Sequence, residues 1–292
     1  MPAARLLLVH AHPDDETLWT GGTIARYAAR GVEVVVVTCT LGEAGEVIPA
    51  ELRGLVADEA DQLGGYRIGE LRGALSALRV SEHRFLGGAG RWRDSGMLWD
   101  EPGKATAVPD AHPRAFAIGD PRTQADQLLE IIEELAPQVV VTYAEDGGYG
   151  HPDHVRAHEI TADAVGRSAC VRRLFHAVPS REALDAGLAE LAKAEDLPFR
   201  LPEPHELPGV AAESITTEID VTEHLPAKVA ALRAHATQVE VFVEQRRDGS
   251  GVASFALSNG IAQPLLGAEH YVLAAGAAEG CENDLFGGLE TA

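Results

Sequence analysis

Residues 4–16 read A-R-L-L-L-V-H-A-H-P-D-D-E. The run from Ala4 to Ala11 is apolar without alternation, the pattern of a central strand in a parallel sheet buried on both faces. Its carboxyl end delivers His12, followed by a proline turn and three acids. A second run of the same kind, Gln138 to Tyr143 (QVVVTY), passes through a glycine-rich turn to His151-Pro152-Asp153-His154 and a helix-like stretch from Val155 to Arg167. In open α/β sheets the ligand crevice lies outside the carboxyl ends of the strands, so these two remote motifs are expected to share one site.

Outward from these two runs, strand candidates Ala4–Ala11, Val32–Thr38, His83–Leu86 and Gln138–Tyr143 alternate with helix-like stretches Thr17–Arg30, Ala50–Leu63, Arg67–Leu78 and Gln124–Ala136. This βαβ rhythm predicts an α/β fold, a Rossmann-like parallel sheet flanked by helices. Gly31 is placed as a left-handed helix cap and Pro137 as a helix stop. Gly87 to Arg122 reads as a long loop without an element of its own, and such loops are often functional. Its Arg91-Trp92-Arg93-Asp94 fits recognition of a polar substrate or a loop pinned by one tryptophan. Ser180–Glu195 reads as a helix and Leu197–Pro208 as a proline-broken linker. The final third has a helix at Leu225–Thr237, a strand-like Val239–Val243, an Arg-Arg-Asp-Gly-Ser-Gly turn and mixed short elements to Leu273. The expected organisation is an α/β metal-binding core over 1–175 and a smaller C-terminal α+β subdomain over 176–292 that contributes to the substrate site.

The chain has 292 residues and a net charge of −21. That charge repels nucleic-acid phosphates and anionic lipid, so neither nucleic acid nor membrane is expected as a partner. No stretch approaches the roughly 18 consecutive apolar residues of a membrane span. The first residues lack the pattern of a secretory signal, and three cysteines without CxxC spacing fit reduced thiols. A cytoplasmic location is expected, and homo-oligomerisation stays open.

Catalytic zinc sites combine three imidazole or carboxylate ligands with water. His12, Asp15 and His154 meet that count, and Asp14 is left beside them to act as general base in hydrolysis. Tyr149 and His151 can donate to a developing oxyanion, and His151, if kept protonated by Asp153, could protonate a leaving amine. Helix capping accounts for the acids of the first motif but not for His12. His10 is expected to be a core histidine and His158 to pack near the site. No G-x-G-x-x-G follows the first strand and no His-Glu-x-x-His occurs, which argues against dinucleotide binding and the zincins. A non-catalytic, receiver-like module holding magnesium is the alternative of another class, and the nitrogen ligands weigh against it.

The segments AHPDDE (residues 11–16) and GYGHPDH (residues 148–154) make the chain resemble the zinc-dependent N-acetylglucosaminyl deacetylases of the PIG-L/LmbE-like family. VVTCTLGEAGEVI (36–48), DQLGGYRIGEL (61–71), FLGGAGRWRDSGM (85–97), AKVAALRAHATQV (227–239) and EHYVLA (269–274) bring it closest to the N-acetylglucosaminyl-inositol deacetylase branch of mycothiol biosynthesis. The similarity spans nearly the whole chain and is weakest over 165–215. It implies one zinc per subunit on His12, Asp15 and His154, with iron(II) an alternative in the cell. It also implies Asp14 as base, Tyr149 and His151 around the oxyanion or leaving group, Asp153 tuning His151, and Arg67 and Asp94 on substrate hydroxyls. The implied substrate is a small amino-sugar inositol, 1-linked and N-acetylated. The related amidase that cuts mycothiol S-conjugates shares this metal chemistry and is the alternative function. Leu18-Trp19-Thr20 beside the metal reads as the deacetylase version.

Overall fold

A computed structural model describes residues 4–80, 82–245 and 251–290. The strands are β1 (Arg5–His10), β2 (Glu33–Thr38), β3 (Glu82–Phe85), β4 (Leu98–Glu101), β5 (Lys104–Thr106), β6 (Val139–Tyr143), β7 (Arg173–Val178), β8 (Thr217–Asp220), β9 (Glu240–Gln245), β10 (Gly251–Ala256), β11 (Gln263–Pro264) and β12 (Ala268–Gly276). The helices are α1 (Asp15–Ala29), α2 (Leu63–Ala77), α3 (Pro121–Leu135), α4 (Pro152–Arg167), α5 (Arg181–Leu191) and α6 (Leu225–Ala234). The main sheet has the order β3-β2-β1-β6-β7-β12-β8. Its first five strands pair in parallel and β12 runs antiparallel to both of its neighbours.

Alternate side chains of β1 feed opposite layers, as the two-residue period of a strand requires. Leu6 and Leu8 join Ile24, Leu71 and Ala231 on one face, and Leu7 and Val9 join Leu128, Ile132 and Ile160 on the other. This is why the run shows no alternation. The chain leaves β1 toward β2 on one side, whereas β6 lies on the other, so the strand order diverges between β1 and β6. Both histidine motifs follow these two strands, at the point where such sheets open a crevice.

Four expectations are corrected. Ala50–Leu63 is not an α-helix. A short 3-10 turn occupies Ala50–Leu55 and buries no residue, so nothing packs to extend it. The next helix begins at Leu63 rather than Arg67. The fourth begins at Pro121 rather than Gln124, because Asp120 caps it by accepting from the Thr123 N–H and Pro121 suits the first turn. The stretch 87–122 carries the β4–β5 hairpin, held down where the Ala105 N–H donates to the Tyr149 carbonyl at 2.7 Å. Gly31 has φ +79, as its capping role requires, and Ala136 before Pro137 takes the left-handed conformation.

Beyond β6 the chain continues the same sheet. β7, β12 and β8 add three strands to it, and the boundary expected at residue 175 falls inside β7. A separate three-stranded sheet, β11-β10-β9, packs near α5 and α6. The turn expected at Arg246–Ser250 lies outside the described residues. The three cysteines are free thiols.

Candidate metal and catalytic centre

β1 ends at His10, a buried histidine whose Nε2 lies 3.0 Å from Thr20 Oγ1 and whose pKa burial lowers to about 4. It serves the core, as expected. His12 follows two residues on, and Pro13 turns the chain so that α1 starts at Asp15. Asp14 sits at φ +113, a conformation that side chains other than glycine rarely adopt. Such strain persists only where the surroundings impose it, and it concentrates at functional sites. Here the Asp14 N–H donates to Glu16 Oε2 at 2.9 Å, and the Asp14 carbonyl accepts from Thr17 and Leu18.

After β6, glycines let the chain double back. Gly147 has φ +66, and a side chain there would press on His154 Cβ at 2.7 Å. His151 is the N-cap of α4, its Nδ1 accepting from the Asp153 N–H at 3.1 Å, with Pro152 in the first turn. Asp153 and His154 therefore project from the first turn of α4 toward His12.

The expected ligand set comes together. Asp15 Oδ2 lies 3.1 Å from His12 Nδ1 and 3.3 Å from His154 Nε2. One donor atom from each of the three lies within 4.8 Å of the others, and all three residues are buried. His154 Nδ1 donates to the Gly147 carbonyl at 3.1 Å, which leaves its Nε2 as a lone pair without a hydrogen-bond partner, facing a carboxylate oxygen. Two acceptors set face to face and buried are a cost unless a cation lies between them. His12 Nε2 lies 3.2 Å from Asp153 Oδ2, the carboxylate partner a ligating histidine typically has on its second nitrogen.

A second grouping, His12, Asp94 and His151, also lies within 4.8 Å. In it Asp94 approaches His12 Nε2 at 3.6 Å, a nitrogen that already faces Asp153 at 3.2 Å. Tyr143 stacks on His154 with ring centroids 4.1 Å apart and an interplanar angle of 13°.

The electrostatics agree. Asp14, Asp15, Asp94 and Asp153 are all buried here. Burial alone would lower the His12 pKa, but Asp94, Asp15 and Asp153 outweigh it and hold it well above the ordinary value. Burial opposes ionisation of Asp15 too, yet His154 and His12 bring its pKa well below the usual carboxylate range. Burial raises the Asp14 carboxyl to about 6 against the pull of Arg67, close to the range in which a carboxylate works as a general base. The donor set of two imidazoles and one carboxylate, the unpartnered nitrogen and the excess of buried carboxylates all fit a bound metal ion.

Several expected residues hold different positions. Arg67 is 2 % exposed and donates to Asp14 Oδ2 at 2.9 Å, to the Gly42 carbonyl at 2.8 Å and to the Pro13 carbonyl, so it braces Asp14. The Asp153 carboxylate faces His12 and accepts from Ser95 N and Oγ. It meets His151 only through its backbone N–H, so it does not keep that ring protonated. Burial, with His12 and His154, holds the His151 pKa well below normal, because a second buried cation is disfavoured. Asp94 comes within 3.6 Å of His12 Nε2 and accepts from Gly96 N. Tyr149 stands with its ring centroid 5.1 Å from that of His154. His158 Nδ1 donates to the Tyr143 carbonyl at 3.0 Å, and its ring packs edge-on against His176 with centroids 4.8 Å apart.

Sequence reasoning missed Ser95, Tyr143, Trp99 and His235. Ser95 adjoins Asp94, and Tyr143 is the one aromatic residue in an aliphatic strand, so both had a local signal. His235 had none: its Nε2 meets the buried Glu16 at 2.8 Å across 219 residues. Trp99 stacks on Tyr149 with centroids 6.1 Å apart, beside a 200 Å³ cavity that reaches Asp15.

Fold and site together define an α/β protein with a buried His–Asp–His cluster that could hold a metal ion, beside the buried carboxylate of Asp14. The family model of GlcNAc-PI de-N-acetylase (PIG-L) matches residues 7–165, and the chain belongs to this family. It is 71% identical over 285 residues, 98% of this chain and 94% of the relative, to the 1D-myo-inositol 2-acetamido-2-deoxy-alpha-D-glucopyranoside deacetylase 1 of Saccharopolyspora erythraea. It is 67% identical to the deacetylase of the same description from Actinosynnema mirum, covering 98% of this chain and 97% of the relative. Among solved structures, a deacetylase of teicoplanin biosynthesis in complex with teicoplanin matches at a TM-score of 0.51 and 22% identity, covering 93% of this chain and 99% of that one. A 4-carboxy-2-hydroxymuconate hydratase from Pseudomonas putida matches at 0.53 and 19%, covering 80% of each. A hydratase on this fold means that the fold alone does not specify the reaction. Among the described residues no helix is long and apolar enough to cross a membrane.

Proposed function

We propose that the chain hydrolyses the N-acetyl group of 1-O-(2-acetamido-2-deoxy-glucopyranosyl)-myo-inositol, giving glucosaminyl-inositol and acetate, the deacetylation step of mycothiol biosynthesis. The observation that carries this reading is the convergence of His12, Asp15 and His154 beside Asp14, in a chain whose curated relatives bear this activity in their names.

In this reading His12, Asp15 and His154 hold zinc, and iron(II) suits the same ligands. When bound, the metal supplies Lewis acidity toward the amide carbonyl and makes water easier to deprotonate. Asp14, braced by Arg67, takes the proton as water attacks the carbonyl carbon. Tyr149 and the Nε2–H of neutral His151 donate to the oxygen on which negative charge develops. The C–N bond then breaks, and Asp14 returns its proton to the departing amine. Asp153 holds His12 in register for this, and Asp94 and the unpartnered Nε of Arg67 are left to meet sugar hydroxyls.

The test is primary-amine release by the metal-loaded protein from the acetylated sugar and, in parallel, from a mycothiol S-conjugate. Faster turnover of the acetylated sugar is expected. Preference for the conjugate would assign the amidase alternative, and turnover of neither would overturn the hydrolase reading.

A further inference from the structure

The cavity beside Asp15 is walled by Trp19, Met97, Trp99, Leu207, Phe255 and Leu257, with Asp15 and Tyr149 at one end. Glu206 and Asn259 also line the adjoining surface hollow with Arg200, which puts these polar groups at the outer mouth. Asp14, Arg67 and Asp94 do not line it. They gather on the other flank of His12 and Asp15, where Arg67 bonds Asp14 and Asp94 approaches His12. The centre thus has a polar flank and an apolar one.

A carbonyl carbon carries its nitrogen and its acyl chain on different sides. Held at the centre, it sends a polar amino sugar toward the carboxylates and the acyl group into the apolar cavity. The only apolar group of an acetylated substrate there is one methyl. A cavity of only about 10–15 Å³ suffices to admit a group near the size of a water molecule, whereas this cavity measures about 200 Å³. Trp99 is 54% exposed, so its indole has apolar area for a ligand to cover. The hairpin that carries Trp99 is seated firmly: Gly103, at φ +74, abuts the His205 carbonyl so closely that any side chain there would collide.

Building on the deacetylase reading, we propose that this cavity receives the acyl side of the scissile amide and accepts straight-chain N-acyl groups of about four to six carbons, judged from its size. Trp99 is the residue that sets this preference, as the outer wall against which the chain lies.

The test uses the full-length, metal-loaded protein with the N-acetyl, N-butyryl and N-hexanoyl forms of glucosaminyl-inositol, and tryptophan fluorescence titrations with acetate and hexanoate. The hexanoyl substrate should be cleaved with a kcat/KM within about threefold of the acetyl one or better, and hexanoate should bind at least about tenfold more tightly than acetate, because each buried methylene favours binding. Trp99→Ala should lower the hexanoyl-to-acetyl ratio of kcat/KM by about tenfold, and Trp99→Phe should recover most of it. A hexanoyl substrate disfavoured by about a hundredfold, or a ratio that Trp99→Ala leaves unchanged, overturns the proposal. If no acylated sugar is cleaved, the deacetylase reading fails, and the titrations still decide the cavity: equal binding of the two carboxylates refutes it.

Discussion

Asp14 is the residue on which the proposed chemistry turns. Its backbone occupies φ +113, its carboxylate is braced by a buried arginine, and burial raises its pKa to about 6. Neighbouring acids look alike in the sequence H-P-D-D-E, yet each has a different partner: Arg67 for Asp14, His12 and His154 for Asp15, and His235 for Glu16. Asp14→Asn keeps the shape and removes the proton acceptor. Its kcat should fall by roughly 10²–10⁴-fold, the usual contribution of a general base, with metal content by elemental analysis unchanged. A variant that keeps full turnover would remove Asp14 from the mechanism.

At the level of elements, the two loops after β1 and β6 are short, whereas the long stretch 87–122 delivers Asp94 and Ser95 from the segment before β4 and Trp99 from the β4–β5 hairpin. Trp92 anchors this stretch, buried beside Phe116 and donating to Gln127 Oε1 at 2.9 Å, so the pinned loop and the site loop are one. The edge strand β3 gives a test of a different kind. Its His83 has Nε2 3.0 Å from Thr38 Oγ1, and burial lowers its pKa from 6.5 to about 4. The unfolded chain binds this proton near pH 6.5 and the folded chain only near 4, so the stability His83 contributes is complete above pH 6.5 and is lost as pH falls through that window. His83→Gln should flatten the decline of the urea midpoint between pH 6.5 and 4, and an unchanged slope would show that other groups cause it.

For the molecule as a whole, the C-terminal part is bound into the N-terminal layer. Ile219, Val221, Ala231 and Tyr271 share a core with Leu6 and Leu8. Lys228 donates to the Leu18 carbonyl at 3.1 Å and to Glu269 at 2.7 Å, while Glu269 accepts from the Gly22 and Thr23 N–H groups. A fragment of residues 1–175 would stop inside β7, strip this face of its cover and leave Glu16 buried without His235. It should show no cooperative urea transition by tryptophan fluorescence or circular dichroism. A sharp two-state transition would establish the N-terminal core as an independent domain.

Four of the five parallel strands, and the meeting of His12, Asp15 and His154 in one place, could be read from the chain itself. Buried parallel strands announce themselves by unbroken apolar runs, and residues just past their carboxyl ends are held within one crevice by the backbone alone. Capping signals such as Asp120-Pro121 are equally local, although the helix start they mark was placed too late. Only the tertiary structure decided which partner each buried acid takes, that Asp153 serves His12 rather than His151, that Glu16 meets His235, and that aromatic side chains from α1, a hairpin and β10 wall one cavity. Those pairings join residues far apart in sequence, and their energies come from desolvation and Coulomb interaction, which depend on distance and burial in the folded chain and leave no periodicity behind.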